Sequence, residues 1–321
     1  MKRAMVVGAT GGTGAAVTEE LIRQGIETIA FGRSGQKLEL LAKNLGNPAQ
    51  LTLAVGDAFR PEDIAGASGN ADVLFHCANV PYHEMATRLL PLGEAVMAAA
   101  QKKGMKVVAV DGIYPYGKRQ MDLVTEEHPL EPHTKKGKTR LAFTQMLFSN
   151  QWREVDTMVV RLPDYYGPSA NEASYLGSTL EAIAAGKPAI FIGNMHVPRE
   201  YVYLPDAAQM IVKLAKVDHC FSQSWNIPGA GTISGNRIVE IARKASGQTK
   251  PVISLGRAGL ALLGLFVPVM KEVVEMLYLT EEPLILSGEK VKAHIGSLVQ
   301  TPFEEGIAAT IRALQEKATR I

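Results

Sequence analysis

Short apolar runs alternate with longer amphipathic stretches through the first half of the chain. Ala4–Val7, Thr28–Phe31, Leu51–Val55, Val73–His76 and Met105–Val110 are rich in β-branched or apolar residues and read as strands. Between them, Thr13–Gln24, Gln36–Leu45, Pro61–Ala67 and Tyr82–Lys103 carry apolar positions at helical spacing. Nearly continuous apolar strands need cover on both faces, which a parallel sheet flanked by helices supplies. The expected fold is therefore α/β, a doubly wound parallel sheet. A further helix is expected over Arg140–Asn150, a sixth strand over Val155–Val160 and a later strand over Ala189–Ile192. After Tyr166 the rhythm breaks at Gly167-Pro168, Gly186-Lys187-Pro188, Pro198, Pro205, Pro228-Gly229 and Pro251. This divides the chain into a first domain over residues 1–166 and a smaller substrate lobe over 167–321, with returns to the main sheet around 189–228.

Composition narrows the function classes. In 321 residues, 46% hydrophobic and 21% charged, with 30 Gly and 17 Pro, there is material for a sizeable core and no sign of a disordered or collagenous polymer. A formal charge of +2 gives no field that would argue for nucleic acid or an anionic membrane. Two cysteines, Cys77 and Cys220, far apart in sequence, suggest neither a disulfide framework nor a metal pair, and fit a reducing compartment. The first residues lack a long apolar region and a small-residue cleavage site, so a cytoplasmic location is expected. The most apolar stretch, Ala258–Met270, is too short for the ~20 residues a spanning helix needs, and reads as a buried or groove-lining helix.

The sharpest local signal is Gly8-Ala9-Thr10-Gly11-Gly12-Thr13-Gly14, leading from the first strand into the first helix. Gly8 permits the tight turn, Gly11 lets backbone approach a pyrophosphate, and Gly14 lets the helix pack on the strand. The helix N-terminus then offers free amides and the positive end of its dipole to the anion. Gly8, Thr10, Gly11, Gly12, Thr13 and Gly14 are thus the expected cradle of a dinucleotide cofactor. At the end of the second strand, Gly32-Arg33-Ser34 has no carboxylate for a ribose 2′-hydroxyl. Arg33 offers a guanidinium for a 2′-phosphate, with Ser34 beside it, which favours NADP over NAD. Arg33 as a solvated loop cation is the bland alternative.

The Gly8-x-x-Gly11-x-x-Gly14 spacing resembles that of extended and atypical short-chain dehydrogenase/reductase proteins, in the branch of NAD(P)-dependent epimerases, dehydratases and reductases. The resemblance runs over roughly residues 4–245 and implies a Rossmann domain with a C-terminal substrate lobe. It implies adenine contact at Asp57 and Ala58, unless Asp57 simply caps the helix near Pro61. It also implies that Ala78 and Asn79 lie beside the diphosphate and that Pro163 passes the nicotinamide. Cys77 reads as small packing rather than a reactive thiol, and His76 and His83 lack a third ligand for a metal.

The family's acid/base apparatus is a Ser after the fifth strand and a helical Tyr-x-x-x-Lys. Val108-Ala109-Val110-Asp111-Gly112-Ile113-Tyr114-Pro115-Tyr116-Gly117 is similar to the segment that carries the Ser, but Asp111-Gly112 occupy its position. Thr125-Glu126-Glu127-His128-Pro129-Leu130-Glu131-Pro132 resembles the loop that follows and sets the register. In that register Lys136 replaces the Tyr and Arg140 the Lys. The match Tyr114 to Lys118 contains Pro115 and Gly117, which forbid the required helix, and is coincidental. Tyr114, just beyond the fifth strand, is a candidate proton donor, or else packs on a neighbouring loop. Asp111 is a candidate base, or pairs with Arg140 or Lys136 as a salt bridge, the favoured reading. Lys135, Lys136, Lys138 and Arg140 form a cationic helix face that either anchors phosphate or an anionic substrate or is merely solvated. In the second lobe, Arg161 to Pro168 and Arg199 to Ala208 are similar to family blocks that place Tyr166 and Arg199 at the substrate, although Arg199 also suits an internal salt bridge. Apolar Leu255–Leu279 suggests a greasier substrate or a buried helix.

Two functions follow. One is an NADP-dependent oxidoreductase or epimerase-like enzyme acting on a small carbonyl, hydroxyl compound or nucleotide sugar, with Tyr114, Lys136 or water held by Asp111 in place of the family Tyr. The other is a non-catalytic NADP(H)-binding regulator or scaffold. By analogy, a homodimer would pack through the helices Tyr82–Lys103 and Arg140–Asn150.

Overall fold

The computed structural model describes residues 1–170, 174–264 and 272–319. Seven parallel strands form the central sheet: β1 Arg3–Val7, β2 Glu27–Gly32, β3 Leu51–Val55, β4 Val73–His76, β5 Lys106–Gly112, β6 Thr157–Leu162 and β10 Gln223–Asn226. Their order is β10-β6-β5-β4-β1-β2-β3, so the direction of winding reverses between β1 and β4, where a doubly wound sheet opens its ligand crevice. Side chains of β1 alternate between two cores: Ala4 and Val6 pack with Val160, Trp225 and Ile211 on one face, Met5 and Val7 with Leu74, Val96 and Phe143 on the other. Five helices complete the first half: α1 Gly12–Arg23, α2 Gly35–Asn44, α3 Pro61–Ala67, α4 Met85–Lys103 and α5 Lys135–Leu147.

Helix α5 begins five residues before the expected start at Arg140. Thr134 caps it, its hydroxyl accepting from the Gly137 amide at 3.0 Å, so the lysine cluster is drawn into the first turn. The sixth strand runs two residues later than expected. Val155 is held in a turn to Trp152, while Arg161 is still paired with both Asp111 of β5 and Asn226 of β10.

The remaining strands are β7 Asp164–Tyr166, β8 Ala189–Ile192, β9 Arg199–Tyr203, β11 Thr232–Ile233 and β12 Val252–Leu255, in a three-stranded sheet β11-β9-β7 and a two-stranded sheet β12-β8. Of the segment expected to return to the main sheet, β10 does so. Strand β8 pairs with β12 instead, because β10 already fills the edge of β6. Helices α6 Tyr175–Ala184 and α8 Gly235–Ser246 share a third core with Phe191, Tyr166 and Ile307 of the C-terminal helix Phe303–Thr319, while α7 Leu204–Ala215 packs on α1. The apolar stretch beginning at Ala258 continues helix α9, Arg257–Leu263, and its part from residue 265 to 270 lies outside the described residues. No described helix is long and apolar enough to cross a membrane.

Glu200 of β9 ties the second lobe together. Its carboxylate accepts from the Gly229 amide at 2.9 Å and the Leu286 amide at 2.7 Å while only 4% exposed, and burial pushes its pKa from 4.5 up to about 7. A carboxyl whose folded pKa is raised favours the fold at low pH and loses that contribution as pH climbs through about 7. Stability should therefore fall by on the order of 3 kcal/mol between pH 5 and 8 from this group. Thermal unfolding across that range should show the slope, and Glu200→Gln should flatten it, although the amide leaves one buried N–H poorly matched.

Candidate functional site

The glycine loop is built from backbone contacts that no side chain fits between. Gly8 follows β1 with φ +83°, a left-handed conformation that favours glycine. A Cβ there would lie 2.6 Å from Ala78 Cα at the end of β4, and one on Gly14 would lie 2.2 Å from the Gly8 carbonyl oxygen. Gly11 is different: its φ is −78° and its nearest contact would be 3.4 Å. It precedes α1 as the N-cap without a side-chain cap, and the first turn has no acidic residue, so the first-turn amides are left for an incoming anion. Thr10 faces Gly32 at the end of β2, and the loop Ser169-Ala170 comes over Gly12. Thr13, in the first turn of α1, is half-buried.

The other expected cofactor residues border this loop. Arg33 is exposed just past β2 and makes no hydrogen bond or ion pair among the described residues. Ser34 caps α2, accepting from the Lys37 amide at 3.3 Å. Asp57 closes the turn before α3, accepting from the Phe59 amide at 3.1 Å, with Ala58 half-buried inside that turn. Pro163 is buried between β6 and β7. Burial pushes the Cys77 thiol up to about 12, which makes it a poor nucleophile.

At the carboxyl ends of β4 and β5 stands the Asp111 carboxylate that the sequence places there. Arg140 donates to Asp111 Oδ1 at 2.7 Å and to Asn79 Oδ1 at 2.9 Å, joining α5 to both strands. The favoured salt bridge is therefore formed, yet Asp111 Oδ2 and Arg140 Nε are buried without partners. Beside them His76 is buried with both ring nitrogens unpartnered, its pKa lowered to about 4 by burial and by the Arg140 charge. Lys136 is also buried, its ammonium held by Glu272 and, at 2.8 Å, by Glu275. The cationic face thus divides: Lys135 and Lys138 stay exposed while Lys136 and Arg140 are neutralised inside.

Tyr114 opens the turn after β5, and its hydroxyl lies 2.5 Å from that of Tyr82, in the turn after β4. Tyr175, the first residue of α6, donates to Tyr82 at 3.2 Å. Burial raises the Tyr114 phenol well above its ordinary value, Tyr82 adds to the shift, and the Arg140 cation opposes it. Asp164 of β7 accepts from the Tyr165 amide and the Ser174 hydroxyl, with Oδ2 buried and unpartnered; burial raises its pKa against the pull of Arg199. Arg199 lies between the Phe191 and Tyr201 rings, donates to the Ile192 carbonyl at 3.0 Å, and lines a narrow void with Tyr175 and Thr179. It makes no salt bridge among the described residues. Tyr166 turns away into the third core, stacked on Phe303 and packed against Gly306. The sequence reading missed Tyr82, Tyr175 and Asp164. Only Tyr82 had a usable signal, its place just past β4 at the same sheet edge.

The profile of the NAD dependent epimerase/dehydratase family matches residues 4–227. An uncharacterized UDP-glucose epimerase, YtcB, from Bacillus subtilis (strain 168) is 23% identical over 76% of this chain and 82% of its own length. UDP-glucuronic acid 4-epimerase from Bacillus cereus, solved in complex with NAD, superposes with a TM-score of 0.79 at 15% identity, covering 98% of this chain and 99% of its own. DesIV, a dTDP-glucose 4,6-dehydratase from Streptomyces venezuelae solved with NAD and TYD bound, gives 0.80 at 18% identity, covering 99% and 98%. These structural likenesses establish a common fold.

Gly14→Ala should destabilise the protein by roughly 1–3 kcal/mol, because the added methyl meets backbone that has no way to yield. Gly11→Ala should cost less than about 1 kcal/mol. Denaturant unfolding of the two variants checks the contrast, and equal losses would contradict the geometry.

Proposed function

We propose, from the premise that this chain belongs to the NAD dependent epimerase/dehydratase family, that it is an oxidoreductase or epimerase-like enzyme using a nicotinamide dinucleotide on a nucleotide sugar or small carbonyl compound. The observation that carries the reading is Tyr114, a phenol at the carboxyl end of β5 in a turn that packs on α5, the helix that carries Arg140. A phenol and a nearby cation are what the family's helical Tyr and Lys provide, here drawn from two different elements.

The side-chain-free approach of Gly8, Gly14 and Ala78 and the uncapped start of α1 fit a diphosphate. Gly11, Gly12 and Thr13 would hold it, with Thr10 and Ala78 at its edges, Asp57 and Ala58 toward the adenine, Asn79 and Pro163 toward the nicotinamide, and Arg33 and Ser34 at the adenosine ribose. The free guanidinium of Arg33 supports a 2′-phosphate and hence NADP, although the solved relatives from Bacillus cereus and Streptomyces venezuelae hold NAD. When bound, the nicotinamide supplies or accepts hydride at the substrate carbon. Tyr114, held neutral by burial, gives a proton to the substrate oxygen on reduction or receives one on oxidation. Arg140 steadies the charge that develops on the phenol, and Asp111 and Asn79 keep Arg140 in place. Arg199, with its unpartnered Nε, faces an anionic part of the substrate, and the nucleotide-sugar names of the relatives favour a diphosphate there. Helices α4 and α5, which pack side by side, would form the homodimer seam.

A second reading, a non-catalytic NADP(H) sensor, is favoured by one observation. Lys136 and Arg140, at the family's Tyr and Lys positions, are both consumed by carboxylates. Loss of nicotinamide absorbance when NADPH meets a panel of carbonyl compounds and nucleotide sugars, UDP-glucose included, separates the two; silence throughout would favour the sensor. If a substrate turns over, Tyr114→Phe should lower kcat roughly 100-fold or more. Arg33→Ala should weaken NADP binding at least about tenfold while leaving NAD nearly unchanged, by calorimetry. Equal losses for the two cofactors would remove Arg33 from the 2′-phosphate.

A further inference from the structure

Three phenols from three separate elements meet at one point. Tyr82 stands in the middle, its oxygen 2.5 Å from that of Tyr114 and accepting from Tyr175 at 3.2 Å. Ring packing does not require this: Tyr82 and Tyr175 meet tilted at 6.5 Å, a contact phenylalanine would make equally well. The hydroxyls form a continuous line from the Arg140 side of the site to the Arg199 side. The charge of nearby Asp164 opposes ionisation of all three phenols, although its carboxylate bonds the Tyr165 amide and the Ser174 hydroxyl and none of the three. A lone phenolate in this setting is costly, and a chain of hydrogen-bonded hydroxyls is the physical means of moving a proton without stranding that charge.

We propose that Tyr82 and Tyr175 are a proton relay serving Tyr114, with Tyr82 the link and Tyr175 its outer end. The proposal rests on the reading of Tyr114 as the group that exchanges a proton with the substrate oxygen. In the reducing direction the Tyr114 O–H bond breaks as the substrate O–H bond forms. Tyr82 passes its proton to the Tyr114 oxygen, Tyr175 passes one to Tyr82, and Tyr175, half-buried at the outer end, takes one from solvent water. This leaves hydroxide in the solvent, which buffer neutralises. Oxidation runs the same steps in reverse. Only protons travel the line; the electron pair at the substrate carbon arrives with hydride from the reduced nicotinamide.

Two measurements on the full chain test this. In the first, 3-fluorotyrosine is placed at position 114 and its titration followed by fluorine NMR; the fluorinated phenol ionises at lower pH than tyrosine. Tyr175→Phe, which removes a hydroxyl that does not touch Tyr114, should move that midpoint by about half a unit or more. The same replacement made together with Tyr82→Phe should move it far less, because the link is gone. An effect of Tyr175→Phe that is absent, or unchanged by removing the Tyr82 hydroxyl, overturns the relay. In the second, the panel carbonyl that oxidises NADPH fastest is used as substrate. Tyr82→Phe, which keeps the ring and the packing, should lower kcat about tenfold or more with KM held, and added imidazole should restore part of the rate. Unchanged kcat overturns the relay, and so does a loss that imidazole cannot repair. If the wild-type chain oxidises NADPH with no member of the panel, the reading of Tyr114 falls, while the fluorine titration still decides whether the three hydroxyls act as one.

Discussion

The tightest constraint in the molecule is backbone against backbone where β1 turns into α1. Gly8 faces Ala78, and Gly14 faces the Gly8 carbonyl, at separations that exclude even one methyl group. This contact fixes the distance between β1 and β4 at the point where the sheet reverses its winding, and it aims the uncapped start of α1 into the resulting crevice. The two amides that pin the turn, from Gly8 and Ala9, both donate to the Phe31 carbonyl of β2, so the second strand is held by the same knot. The turn and the start of α1 are therefore one object, and neither can relax without the other.

Around that knot the chain buries paired charge. An arginine on α5 reaches the ends of two strands, and a lysine one turn earlier is clamped by two carboxylates from the far end of the sequence. Each cation is matched, as burial demands, because an unmatched buried charge is far costlier than a matched one is stabilising. Glu275 also acts on the backbone, since its carboxylate accepts from the Lys136 amide at 3.1 Å and so steadies the first turn of α5. The segment near residue 275 thus fastens the helix that carries Arg140.

What could be seen in the sequence was whatever depends on local pattern. The alternation of strands and helices follows from spacing, the Gly8 loop from three glycines at fixed intervals, and the Asp111–Arg140 pair from the register of one loop. What stayed hidden depends on distance along the chain. Tyr175 reaches Tyr82 across 93 positions, and Glu275 reaches Lys136 across 139. No periodicity encodes such meetings, since they arise only when the second lobe folds over the sheet edge. The early start of α5 was hidden for a related reason. Four basic groups within six residues look like a solvated surface until Thr134 and Glu275 are seen to draw the first of them into a helix turn.

The same matching of charges bears on the two positions, 136 and 140, at which the sequence resemblance puts the family's Tyr and Lys. A phenol at position 136 would remove the cation that holds Glu272 and Glu275 and leave two carboxylates repelling each other beside the start of a helix. A lysine at position 140 would keep the charge but lose the planar fork that reaches Asp111 and Asn79 at once. Both cations are therefore held by partners lying elsewhere in the chain. The phenols of Tyr82, Tyr114 and Tyr175, in the turns after β4 and β5 and at the start of α6, are bonded to one another and to neither cation.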